Sequence, residues 1–333
     1  MTFKGTSGTR SRIVEVDVLR AVALFGISIV NTVGVSGMPT VEAGGDPGPA
    51  YWVYETFLHQ RFFPIFSFLF GVSFGLFLDA AGERTNNPRL VMLARLGFLV
   101  PFGALHRLLQ PDEVLLSYAV VGIVVLLPAS FLSGRAVLGL GAVALAAAVL
   151  VTGGGSMLIP GLFLLGYAVQ RYGIEKVLSL PVRRVAVACV VGFLFAVVLN
   201  GWQVGSGSES GSRLAAVAGL VTAATYMAFI VLLLRSRARG ALGVLAPLGR
   251  MALTGYVGAT LMIVVAGRFM SLEEAPEYGA AVSLGVGVFV VELAFSSLWL
   301  RHARYGPLEW VWRCLTWWKV LPMRRRRDRP AER

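Results

Sequence analysis

Charge is scarce in this sequence. Asp, Glu, Lys and Arg make up 14% of its 333 residues, against roughly a quarter in water-soluble domains, while 56% are hydrophobic. With a mean hydropathy of +0.73, that shortage excludes an ordinary soluble fold and makes lipid the main solvent. Cysteine is nearly missing too. Cys189 falls inside an apolar run and Cys314 in a basic segment, and their placement supports neither a disulfide nor a metal site. The histidines are His59, His106 and His302, and the last is expected on the opposite membrane face from the other two, which argues against a three-histidine metal centre. There is no Gly-rich phosphate loop before a helix, no nucleophile elbow, no zinc motif and no visible internal repeat. The first apolar stretch begins with Asp17 and Arg20 and is followed by no small-residue cleavage site, so no cleaved signal peptide is expected.

What is present is a succession of roughly ten apolar stretches of membrane-spanning length. They centre on 18–36, 56–79, 90–108, 114–132, 136–152, 157–172, 183–202, 214–234, 246–267 and 279–302. The expected fold is therefore all-α, a polytopic transmembrane bundle over residues 1–302. Residues 303–333 follow as an interfacial amphipathic helix and a polybasic cytoplasmic tail. Gly153, Gly154, Gly155 and Ser156 separate the fifth and sixth stretches as a tight turn, making a hairpin or leaving one of them a partial span. The net charge of +12 does not indicate nucleic acid, because the basic residues lie between spans rather than in one patch.

Their distribution instead sets orientation. With both termini in the cytoplasm, the outer loops carry only Arg61, Arg107, Arg213 and Arg268 of the 30 Lys and Arg residues. The outer loop over 37–55 is rich in Gly and Pro, ends in interfacial Tyr51 and Trp52, and is long enough for a lid. In the C-terminal segment Leu308, Val311, Trp312 and Leu315 share one helical side, which reads as a surface anchor beside anionic lipid.

Ionisable groups inside spans cost roughly 2.5–3.5 kcal/mol each on insertion, so each is a candidate for function. His106 ends the third span, with Asp112 and Glu113 just beyond it across Pro111. A carboxylate returning from the next helix would orient the imidazole as a general base; a histidine hydrogen-bonded in a tight turn has the same spacing. Asp17 and Arg20 share a helix face, either as a structural pair or with Arg20 offering its donors to an anion. Arg95 and Arg250 also lie towards cytoplasmic ends of spans and would line a pocket for an anionic ligand, or be ordinary positive-inside residues. Asn31 and Ser67 are polar groups within spans, suited to interhelical bonds or to a ligand.

Several strings are more specific. Val16-Asp17-Val18-Leu19-Arg20, Phe66-Ser67-Phe68-Leu69-Phe70-Gly71 and Gly103-Ala104-Leu105-His106 occur in that order. Gly249-Arg250-Met251-Ala252-Leu253-Thr254-Gly255-Tyr256 and Tyr305-Gly306-Pro307-Leu308-Glu309-Trp310-Val311-Trp312-Arg313 follow. Together they resemble the YeiB family of bacterial membrane proteins along essentially the whole chain. That family is similar to heparan-α-glucosaminide N-acetyltransferase and the acyltransferase-3 proteins.

The resemblance implies an acyltransferase of the bacterial plasma membrane, with acetyl-CoA or a similar thioester as cytoplasmic donor and no metal. The acceptor would be a hydroxyl of a carbohydrate or of a glycosylated small molecule. It makes His106 catalytic, with Glu113 or Asp112 as its acid; the family commonly reads Gly-Asp-Ile-Leu where this chain has Asp112-Glu113-Val114-Leu115, and Asn where it has Gly255. Arg20, Arg95, Arg250, Tyr256 and Asn31 are then expected to bind the donor, and Asp17, Ser67, Arg61 and Arg313 to position or support. Homo-oligomers are compatible with this reading. A transporter of a small amphiphile, or a non-catalytic partner of an envelope complex, is the alternative; lack of a repeat and a shortage of broken helices weigh against the transporter.

Overall fold

The computed structural model describes residues 13–42 and 45–324, so Arg325–Arg327 and most of the expected basic tail lie outside the described residues. Within them the chain is an all-α polytopic bundle, with no β-structure beyond a single bridge between Ala303 and Arg324. Its helices are α1 (Val14–Val35), α2 (Pro49–Phe57), α3 (Phe62–Gly82), α4 (Pro88–His106) and α5 (Leu115–Ala129). Next come α6 (Gly134–Thr152), α7 (Leu158–Leu178), α8 (Val182–Gly205) and α9 (Arg213–Leu234). Short α10 (Arg239–Gly243) and α11 (Ala246–Arg250) precede α12 (Ala252–Met270), α13 (Tyr278–His302) and α14 (Pro307–Trp317).

By length and composition 8 of these segments can cross a membrane, α2 and α3 counting as one. The shorter α5 and the more polar α7 fill the remaining two expected positions. At about 1.5 Å per residue α5 reaches only about 21 Å, less than the roughly 30 Å hydrocarbon core. A π-helical segment over Gly122–Leu126 interrupts it. At the hairpin α6 has 19 residues and ends at Gly153 in the left-handed conformation at φ 67°, whereas α7, of 21 residues, is broken at Gly173 (φ 98°, ψ 98°).

Three expectations about backbone fail. The last third or so of the presumed lid loop is helical, as α2, because Pro49 supplies a ready-made first turn. The second span breaks between α2 and α3 at Gln60, whose φ is 56°. The ninth breaks at Met251 (φ −111°, ψ 34°) between α11 and α12. Broken helices are thus present, contrary to the hydropathy reading, which is blind to backbone angles.

Small residues let the inner helices approach closely. A Cβ on Gly71 of α3 would sit 2.1 Å from the Phe163 carbonyl oxygen, and one on Gly166 of α7 would sit 2.0 Å from that of Phe68. This crossing of α3 and α7 brings Phe70 and Phe163 into a stack with centroids 4.6 Å apart, flanked by Tyr118. In lipid such packing, rather than water exclusion, holds helices together. Gly166→Val is expected to cost at least about 1–3 kcal/mol, as overpacking does, seen as a lower apparent Tm of the detergent-solubilised protein.

The C-terminal helix is not a free surface anchor. Trp312 is buried and its indole Nε1 donates to the Arg95 carbonyl of α4 at 2.6 Å. Glu309 accepts from the backbone amides of Leu253 (2.8 Å) and Thr254 (3.0 Å) and from the Thr254 hydroxyl (2.5 Å). It thereby satisfies otherwise orphaned donors at the start of α12, while burial pushes its own carboxyl pKa up. The apolar stripe is divided between two surroundings: Trp312 points inward, whereas Val311 and Leu315 remain exposed.

Candidate functional site

The α4–α5 turn carries the first cluster. Beyond His106 the amides of Leu109 and Gln110 return to the His106 carbonyl, and Glu113 N bonds to the Gln110 carbonyl, so the turn is tightly wound. The Glu113 carboxylate then accepts from Leu115 N at 2.5 Å and Leu116 N at 2.9 Å, in the first turn of α5. An anion is favoured there by the unsatisfied amides and the helix dipole. So fixed, Glu113 Oε2 lies 3.6 Å from His106 Nδ1. Both residues are buried, at 6% and 2% exposure. Asp112 is exposed at the tip of the turn, so the geometry selects Glu113 of the two acids.

Neither ring nitrogen of His106 has a hydrogen-bond partner, although both are buried. Polar atoms in that state are uncommon and mark strain, catalysis or a missing ligand. Tyr256 of α12 closes one side, its ring edge-on to the imidazole at 4.9 Å between centroids. Its hydroxyl sits 3.5 Å from Val114 N, and Asn31 of α1 approaches the same hydroxyl while its Nδ2 lacks a partner of good geometry. Gln110 accepts from Thr260 at 3.1 Å, tying the turn to α12. Tyr256 and Asn31, expected to hold the donor alongside the arginines, therefore belong with His106 instead.

His106, at the end of the third span, meets Tyr256 in the first turns of α12, and about 20 Å of α12 continues beyond Tyr256 to Met270. Leu115 and Ala119 of α5 pack with Leu99 and Tyr256, while Arg107, Leu108, Leu109, Pro111 and Asp112 of the turn itself stay exposed.

The second cluster surrounds Arg95, about 16 Å back along α4 from His106. Its guanidinium lies 3.6 Å from the centroid of the Trp312 ring and 4.5 Å from that of Phe77. Among the described residues none accepts a hydrogen bond from it, so the faces of the group are occupied and its donors are unspent. Arg313 and Arg20 are the nearby like charges and Glu309 the opposite one. Arg20 donates to Asp17 Oδ1 at 2.7 Å and to Ser73 Oγ at 2.6 Å, and the Ser73 hydroxyl in turn bonds the Leu69 carbonyl. Asp17 thus positions Arg20. Arg250 follows Gly249, which packs directly against the Asp17 backbone, and its guanidinium lies 3.5 Å from the Arg304 carbonyl.

The supporting residues are structural. Arg61 is 1% exposed and braces the α2–α3 break, donating to the carbonyls of Thr56 and His59 and to Asn200 and Gln203 of α8. Ser67 shares a 2.6 Å hydrogen bond with the Tyr118 hydroxyl in the core. Phe77, Ser73, Gln110 and Thr260 were not anticipated. Only Trp312 and Glu309, within a quoted string, carried a signal, and neither was read as part of a site.

Comparisons with known proteins agree on kinship and name no activity. The profile described as "Protein of unknown function (DUF418)" matches residues 171–319. That range holds Tyr256, Glu309, Trp312 and Arg313, while His106, Glu113 and Arg95 precede it. The chain is 33% identical over 337 residues to the "Uncharacterized 39.9 kDa protein in amylase 3'region" of Bacillus acidopullulyticus, covering 94% of this chain and 96% of that protein. Shorter matches are YeiB of Escherichia coli, 37% identical over 76 residues (22% of this chain, 19% of YeiB), and YxaH of Bacillus subtilis, 32% over 91 residues (27% and 23%).

Proposed function

This chain belongs to the YeiB family of bacterial membrane proteins, and from that premise we propose that it is a membrane-embedded O-acyltransferase. It moves an acetyl or other short acyl group from a cytoplasmic acyl-CoA to a hydroxyl of a carbohydrate or sugar-bearing small molecule. The observation that carries this reading is the pairing, along one helix, of an Arg95 guanidinium stacked on aromatic rings with a buried His106 whose ring nitrogens have no hydrogen-bond partner. The phosphates of coenzyme A suit Arg95, Arg20 and Arg313, because planar guanidinium donors bind phosphate oxygens with charge-assisted bonds. The thin pantetheine arm then follows α4 inward, and the thioester meets the imidazole.

At that point Glu113 holds the Nδ1 proton and leaves Nε2 basic. His106 Nε2 takes the acceptor's hydroxyl proton as its oxygen attacks the thioester carbonyl. The carbon–sulfur bond breaks, and the leaving thiolate receives the proton back from the imidazolium. The charge distribution of the loops supports a plasma-membrane protein with both termini in the cytoplasm, which puts the arginine cluster on the side where acyl-CoA is made.

The breaks at Gln60 and Met251 suit a transporter equally. Titrating the purified protein with acetyl-CoA separates the two. Saturable binding that free CoA displaces is expected, and no binding at millimolar donor would overturn the acyltransferase reading.

A further inference from the structure

On the flank of α12 away from His106, a groove of about 740 Å³ runs between α12 and α13. Its walls are apolar and include Leu261, Met262, Val265, Leu284, Val288 and Val291. Met262 and Val291 also line an adjoining cavity of about 260 Å³, which holds Thr254, Gly255, Gly258, Glu292 and Ser296. The two spaces are therefore neighbours, an alkyl-lined trough beside a smaller, mainly apolar cavity that contains one acid.

Glu292 makes that cavity unusual. It is 5% exposed, and neither carboxylate oxygen has a hydrogen-bond partner. The Ala259 amide approaches it without good hydrogen-bond geometry, and no Lys, Arg or His is among the residues lining either space. The neighbouring wall has been cut back: a Cβ on Gly258 would lie 3.3 Å from Oε1, and one on Gly255 3.7 Å from Oε2. A buried carboxylate with no partner is costly and is seldom kept without a use.

We infer that this groove is a second binding site, distinct from the Arg95–His106 path, for a single-chain amphiphile with an ammonium head. The alkyl chain lies in the trough and the head donates to both oxygens of Glu292, with the hydroxyls of Thr254 and Ser296 beside it. Charge complementarity selects the cation: an acid without a counter-charge stands beside an otherwise apolar trough. The trough from Glu292 to Ser283 spans about 13 Å along α13, enough for a chain of medium length.

The test is equilibrium binding of radiolabelled dodecylamine to the full-length protein in nanodiscs, against empty nanodiscs, with dodecanol and decanoate as competitors. One saturable site is expected, displaced by neither competitor. Glu292→Gln, nearly isosteric, should weaken it at least tenfold. Gly287→Leu should abolish it, because Gly287 lines the trough and its Cβ position is open, with nothing within 4 Å. Both variants should keep the parent's acetyl-CoA binding and elution volume, which separates this site from the donor site. Absence of saturable binding, equal displacement by dodecanol, or full affinity in Glu292→Gln would overturn the assignment. So would a dimeric parent that Gly287→Leu converts to monomer, since the groove would then be filled by a second copy.

Discussion

His106→Ala is expected to lower the rate of acetyl transfer by at least about 10²-fold while acetyl-CoA binds as before, the lower bound of what a positioned general base contributes. The guanidinium cluster that would hold the phosphates lies about 16 Å away along α4, so losing the imidazole leaves the donor's charged end untouched. It also removes a buried side chain whose two nitrogens are bonded to nothing, and an alanine there orphans no partner except the Glu113 carboxylate. That carboxylate keeps its bonds from Leu115 N and Leu116 N, so the fold should survive.

Two companion substitutions sharpen the result. Glu113→Gln keeps the size but loses an acceptor oxygen, so it should lower turnover and also cost about 1 kcal/mol of stability through the weakened helix cap. Asp112→Asn should leave turnover unchanged, because Asp112 is exposed at the turn. Turnover and donor affinity are read separately, by product formation at saturating donor and by equilibrium titration. Near-full turnover in His106→Ala would remove the imidazole from the mechanism.

Much of the bundle was legible because hydropathy reports depth. A stretch of about 20 apolar residues has little alternative to crossing, and each expected span has a helix at its place. What hydropathy cannot report is azimuth or backbone angle. Arg20, Arg95 and Arg250 lie towards the same end of their spans and were grouped for that reason. Arg95 and Arg20 do come together, whereas nothing in hydropathy foretold that the Arg250 guanidinium reaches the Arg304 carbonyl. The partner of His106 was hidden for a related reason: spacing brings Asp112 and Glu113 alike within reach of the imidazole, and only the winding of the turn buries Glu113 beside it and leaves Asp112 exposed. The amphipathic pattern of α14 was likewise visible, but which residues of its apolar stripe faced protein was not. The indole nitrogen of Trp312, bonded to a carbonyl of α4, decided that.

Arg95→Gln is expected to weaken acetyl-CoA binding by about tenfold or more, since hydrogen bonds to a charged group are worth about 1.5–3 kcal/mol and each 1.4 kcal/mol is a factor of ten. Arg95→Lys should recover little of this. The Phe77 and Trp312 rings both lie against the flat cation, a contact that a compact ammonium does not reproduce. Trp312→Phe keeps most of the ring but loses the bond to the Arg95 carbonyl, and should fall between the parent and Arg95→Gln. The position of the effect matters more than its size. If Arg95 contacts phosphate, its loss raises the donor KM, lowers the salt dependence of binding and leaves turnover at saturation largely intact. If it serves only to dock α14, the variant should instead lose thermal stability with its donor affinity unchanged. Measuring affinity at two salt concentrations together with the apparent Tm distinguishes these outcomes. A stable Arg95→Gln that binds acetyl-CoA with the parent's affinity and salt dependence would place the phosphates elsewhere.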